Sequence, residues 1–183
     1  ARLVRWALSM AIDRQKIVDT VLGGFGETAY VASNITPDRP EFKEEWRVPY
    51  DIAGAKQKLI DAGYPEGFEI TLWSACNLPA IWDCEIADAV GEMWITNLGL
   101  DVTIDHADYA VRRPESVNKE MNTPWLHGIA WLPGQSIANF YCAHPGHLGG
   151  VTLPDDTCAI GKQNDIEPDM TKRLANNASM TEY

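Results

Sequence analysis

Between Phe68 and Ile104 the spacing of apolar residues changes from a period of two to a helical period and back. Phe68, Ile70 and Leu72 share one face of an extended segment, while Glu69, Thr71 and Trp73 share the other. Ile86, Val90, Met93, Trp94 and Leu98 then recur on one stripe of a helix predicted over 82–98, and Gly99 closes it. Leu100, Val102 and Ile104 alternate again. Two short strands bracketing a helix predict a βαβ unit, whose crossover makes the strands parallel and is almost always right-handed. Just upstream, Asp51 is placed to cap a helix that runs to Ala62. Gly63 suits the left-handed position after that helix, and Pro65 stands where a helix cannot continue.

The pattern is weaker elsewhere. Residues 2–22 read as helical, with Val4, Leu8, Ala11 and Ile12 on one stripe and Ile17, Val18, Val21 and Leu22 extending it. Asp13 interrupts the run and is placed to cap a second helix, which Gly23-Gly24 ends. Residues 25–49 contain Pro37, Pro40 and Pro49 and read as loop. Residues 109–124 are polar, and their Arg112-Arg113 pair reads as solvated or salt-bridged. Residues 125–132 read as a ragged strand, and residues 165–183 as a weak helix. In an open α/β sheet, ligands bind beyond the carboxyl ends of strands, which places Trp73, Ser74 and Asn77 near a site.

With 183 residues, 45% of them apolar and 22% charged, the chain is long enough for a globular domain with a real core. The formal net charge of −11 argues against attraction to nucleic acid or anionic membranes. No run approaches the roughly 18 apolar residues that a membrane span needs. Enzyme signatures are missing: there is no Gly-x-Ser-x-Gly elbow, no phosphate loop after a strand and no His-Glu-x-x-His. Gly23-Gly24-Phe25-Gly26 follows a helix, the wrong context for a nucleotide phosphate. His144 and His147 lack a third ligand, and the cysteines form no Cys-x-x-Cys pair, so neither a metal nor a cofactor is expected. Asn34-Ile35-Thr36 and Asn177-Ala178-Ser179 match the glycosylation acceptor pattern and are discounted as chance matches.

Several blocks carry a resemblance. They are Val4-Arg5-Trp6-Ala7-Leu8-Ser9-Met10-Ala11-Ile12-Asp13-Arg14 with Ile17-Val18-Asp19, Tyr50-Asp51 with Ala55-Lys56 and Leu59, Ala62-Gly63-Tyr64-Pro65, and Asn97-Leu98-Gly99-Leu100. In order and spacing they resemble the extracytoplasmic solute-binding proteins of ABC transporters, in the peptide, oligopeptide and nickel group. The resemblance runs over residues 2–131 and weakens beyond. It implies an α/β fold of the type II periplasmic-binding-protein kind, a mixed sheet flanked by helices on both faces. Family members are much longer, so residues 1–183 are expected to be the C-terminal lobe of a two-lobed protein whose N-terminal lobe is absent from this sequence. The implied partners are a peptide or similar small solute, that second lobe, and the membrane permease subunits of an importer. The implied location is periplasmic, or extracellular and lipid-anchored.

The resemblance also marks site residues. Trp131 matches a cleft-lining Trp at the end of a family strand, and it would offer a stacking face. Three residues later, peptide-binding members carry an Asp that holds the peptide α-amino group; here the position is Gly134. That departure opens the site to other solutes, including sugars, which stack on aromatic faces. Asn139 begins a segment resembling the one after the cleft strand, and Trp73 and Tyr109 complete the ligand-binding candidates. In an extracytoplasmic protein an even count of cysteines favours disulfides, and proximity suggests Cys76–Cys84 and Cys142–Cys158 among three connectivities, with four free thiols as the alternative. The resemblance implies solute capture by hinge closure. The alternatives are an oligosaccharide- or nickel-complex-binding member of the same family, or a stand-alone sensory or interaction domain reusing the fold.

Overall fold

The computed structural model describes residues 1–31, 35–76, 82–118, 120–128 and 155–180. The chain falls into two compact units, one of residues 1–28, 48–109 and 123–128, the other of residues 29–47, 110–122 and 129–183.

The first unit opens with α1 (Arg2–Met10) and α2 (Arg14–Thr20). Asp13 separates them as expected, its carboxylate accepting the Lys16 N–H at 3.0 Å and so satisfying one of the orphan donors of α2. Next comes α3 (Ile52–Asp61), capped by Asp51, which accepts the Gly54 N–H at 2.9 Å. The turn at Gly63 (φ +89°) leads into β1 (Glu69–Ser74). The crossover helix α4 (Asp83–Leu98) ends at Gly99, which is left-handed at φ +70°, and β2 (Asp101–His106) follows. The short β3 (Trp125–Leu126) completes the sheet. Strand order is β2-β1-β3, and both pairings are parallel, with Glu69 opposite Asp101 and Trp73 opposite Trp125.

In-register parallel pairing puts Ile70 beside Val102 and Leu72 beside Ile104, so one apolar face runs across β1 and β2. That face joins the core, with Leu8 and Met10 of α1, Leu59 of α3, and Val90, Trp94 and Leu98 of α4. Helix α4 lies close on the strands: a Cβ added at Gly91 would come within 2.6 Å of the Ile104 side chain. It is also tied to the first helix, because Trp94 Nε1 donates to the Leu8 carbonyl at 2.9 Å and Asn97 Nδ2 to the Ala11 carbonyl at 3.0 Å. Arg14 serves the same framework by donating to the Ser9 hydroxyl and carbonyl. On the opposite face Glu69, Thr71, Asp101 and Thr103 are polar and half-buried or exposed. Trp73, at the carboxyl end of β1, is a large apolar residue on that face and is only 1% exposed.

The second unit contains a 3-10 turn at Glu44–Trp46, α5 (Tyr109–Val117, whose first residue belongs to the first unit), α6 (Asp155–Ile166) and α7 (Met170–Met180). The polar stretch after Tyr109 is therefore helical, and its Arg112 pairs with Glu115 at 2.8 Å, in keeping with a salt-bridged reading. Helix α6 has no counterpart in the sequence expectation. Its inward positions include Thr157 and Asn164, so its buried stripe is polar and leaves no apolar period to read. Asn164 Nδ2 donates to Asn177 Oδ1 at 3.0 Å, and Asn176 Nδ2 donates to Asn164 Oδ1 at 3.0 Å. Asn177 is fully buried. Elsewhere in this unit Tyr30, Phe42 and Trp46 pack as tilted and edge-on rings, with the Arg47 guanidinium over Tyr30 and Phe42. Among the described residues no helix is long and apolar enough to cross a membrane.

Candidate functional site

The carboxyl edge of the parallel sheet carries an array of four rings: Trp73, Tyr109, Trp125 and His127. Strand register explains how it forms. Trp73 and Trp125 are Cα partners on neighbouring parallel strands, so their rings leave the sheet together and stack, 5.0 Å apart and only 3° from parallel. His127 stands two residues beyond Trp125, with its ring 5.4 Å away at 13°. Tyr109 enters from the segment after β2 and stacks on His127 at 4.5 Å and on Trp73 at 6.4 Å. Parallel rings at such separations gain offset-stacking energy beyond the burial of their area. Trp73 is fixed further by its Nε1, which donates to the Ala107 carbonyl at 3.1 Å.

Close to His127 lies Asp83, the first residue of α4 and only 3% exposed. Its carboxylate accepts the Gly128 N–H, while its carbonyl accepts the Ser74 hydroxyl at 3.0 Å. Burial pushes the Asp83 carboxyl above the ordinary carboxylate range, and the Gly128 N–H and the nearby His127 partly offset that. Burial also lowers the His127 imidazole below its ordinary value, against the attraction of Asp83. Both shifts are the response of buried or half-buried groups to loss of water. Nothing in the array is a nucleophile paired with a base. What it offers chemically is flat apolar ring surface with a polar edge, suited to recognition.

Of the expected site residues, Trp73 and Tyr109 are brought together here, Trp73 as a buried support and Tyr109, half-buried, above it. Ser74 is fully buried and serves the packing of α4 on β1. Trp131, Gly134, Asn139 and Asn77 lie outside the described residues. Sequence reasoning missed Trp125, His127 and Asp83. The signal for the first two was present, since alternate positions of a strand share a face, but it became specific only with the register opposite Trp73.

Cys76, just past β1, and Cys84, in the first turn of α4, form the expected disulfide. Cys142, needed for the second expected pair, lies outside the described residues.

A profile described as "Bacterial extracellular solute-binding proteins, family 5 Middle" matches residues 2–143. The glutathione-binding protein GsiB of Salmonella typhimurium is 40% identical over 75 residues, 40% of this chain and 14% of that protein. Di/tripeptide-binding protein 1 of Pseudomonas aeruginosa is 42% identical over 72 residues, 39% of this chain and 13% of that protein. Among solved structures, the Escherichia coli murein tripeptide binding protein MppA aligns with all of this chain at TM-score 0.72 and 25% identity. Helicobacter pylori DppA, solved with the peptide STSA, aligns with 98% of it at TM-score 0.69 and 21% identity, a likeness of fold alone. The chain spans 36% of the MppA chain and 35% of the DppA chain. The fold is thus α/β, of the type II periplasmic-binding-protein kind, and the chain belongs to the bacterial extracellular solute-binding proteins of family 5.

Proposed function

We propose that this chain is the C-terminal lobe of a two-lobed solute-binding protein that captures a short peptide, or a similar small solute, for an ABC importer. The carrying observation is the ring array at the carboxyl edge of the sheet, in a member of a solute-binding family. An array of flat faces with a polar edge holds a solute by stacking and hydrogen bonding and requires no reacting group. Relatives named for glutathione and for di- and tripeptides support a short peptide as the solute class. Tyr109, Trp125 and His127 would supply ring surface, Trp73 would support them, and Trp131 and Asn139 would add further contacts. Gly134, which stands where peptide-binding family members carry the Asp that holds the α-amino group, would supply no carboxylate, so the ligand amine would be anchored elsewhere. Closure of a second lobe over this edge would bury the solute by hinge motion. Delivery to permease subunits, on the outer face of the membrane, would follow.

Titration calorimetry on the two-lobed protein tests this. Di- and tripeptides and glutathione are expected to bind, oligosaccharides and nickel chelates to give no heat, and Tyr109→Ala to weaken peptide binding at least about tenfold, the equivalent of 1.4 kcal/mol. Binding of oligosaccharide or nickel chelate in place of peptide would move the chain to that branch of the family. Absence of binding by every class would favour the sensory-domain reading.

A further inference from the structure

Beside the ring array, three metal-ligating side chains converge on the same edge of the sheet. Cys76 follows β1, Cys84 sits in the first turn of α4, and His106 is the last residue of β2. One donor atom from each, all within 4.8 Å of one another, can point at a common centre. The two nitrogens of His106 are divided between partners. Nε2 stands 3.0 Å from Asp88 Oδ1, and Nδ1 stands 3.3 Å from Cys76 Sγ. A carboxylate on one ring nitrogen fixes the tautomer and turns the other lone pair toward an ion, the arrangement that surrounds metal-bound histidines. On a tetrahedral ion, a thiolate sulfur and an imidazole nitrogen stand roughly 3.6 Å apart, from the usual bond lengths. The separation of Cys76 Sγ and His106 Nδ1 is already close to that. Cys84 lies at a helix N-terminus, which favours its thiolate. His106 is exposed and both cysteines are half-buried, so a reductant and an ion can reach the cluster.

While Cys76 and Cys84 are joined, their sulfurs cannot both ligate. We propose that reduction of this disulfide turns the cluster into a Cys2His site for one thiophilic divalent cation of the zinc class, held by Cys76, Cys84 and His106, oriented by Asp88, and open at its fourth position. With a phosphine as reductant and water as co-reactant, the S–S bond breaks, phosphorus takes the water oxygen, and the two water hydrogens end on the two thiols. The cation then replaces those two protons, which leave to buffer. This site does not depend on which solute the ring array binds.

The test uses the full chain, reduced with a phosphine, freed of excess reductant without air, and titrated with cobalt(II) and then zinc(II). One equivalent of cobalt is expected, with sulfur-to-cobalt absorption, release of up to two protons per ion, and displacement by zinc. Asp88→Asn is expected to weaken binding about tenfold, and His106→Ala at least as much. Cys158→Ser should leave the absorption unchanged, the oxidised chain should show none, and zinc should raise the Tm of the reduced chain more than that of its His106→Ala variant. The proposal is overturned if the reduced chain takes up no cobalt. It is equally overturned if His106→Ala binds as tightly and is stabilised as much, or if the absorption survives Cys76→Ser and disappears in Cys158→Ser.

Discussion

Trp94 does two jobs with one side chain: its ring fills the core and its Nε1 satisfies the Leu8 carbonyl at a buried position. Trp94→Phe keeps most of the ring but leaves that acceptor unpaired, a loss of about 1–3 kcal/mol. Urea unfolding should report it as a lower midpoint with an unchanged slope. His127 gives a pH-dependent counterpart. Its imidazole is held below the ordinary 6.5, so the unfolded chain takes up its proton first as pH falls. Stability owed to neutral His127 is therefore full above 6.5 and is lost as pH drops from there through the lowered folded value. Asp83, with its carboxyl raised from 3.8, acts with the opposite sign, since its burial favours the protonated form. Comparing Tm from pH 7.5 down to 5 between the native chain and His127→Phe isolates the histidine, because phenylalanine keeps the ring and cannot charge. The native chain is expected to lose more stability over that range, and parallel curves would show that His127 titrates as it does in the unfolded chain.

At the level of elements, the turns around α4 and β1 show what spacing alone can and cannot disclose. Gly63 and Gly99 both adopt positive φ, and a Cβ on either would meet nothing within 4 Å. Gly67 differs: at φ +79°, its added Cβ would come within 2.7 Å of the Gly99 carbonyl oxygen, where the entry to β1 crosses the exit from α4. Gly63→Ala should cost about 1 kcal/mol from backbone conformation, and Gly67→Ala about 3 kcal/mol because a backbone atom must also move. Equal losses in denaturant would contradict that close approach. The caps at Asp13 and Asp51, the left-handed Gly63 and Gly99, and the βαβ unit were all legible, because each depends on residues close in sequence. The strands lie one to two residues later than the alternation suggested, at 69–74 and 101–106, since hydrogen bonding continues past the last apolar residue into Ser74 and His106. Helix α6 was not legible, because its buried positions are filled by Thr157, Gly161 and Asn164, which hydrophobic periodicity does not register.

For the whole molecule, family blocks between residues 2 and 131 were enough to anticipate both the fold and the solute-binding family. The candidate site was legible only in part. Trp73 and Tyr109 could be singled out, but their companions Trp125 and His127 depend on pairing between strands about 50 residues apart, which no local pattern encodes. The most direct measurement is the thermal shift of the two-lobed protein with glutathione and with di- and tripeptides, read in the native sequence and in Tyr109→Ala. A solute binding only the folded state raises stability by about 2.7 kcal/mol at a hundredfold excess over its dissociation constant. A rise in Tm with short peptides, largely lost in Tyr109→Ala while the unliganded Tm stays near native, is the expected result. A rise that Tyr109→Ala leaves untouched would place the solute away from the ring array, and no rise with any of these solutes would contradict capture of short peptides.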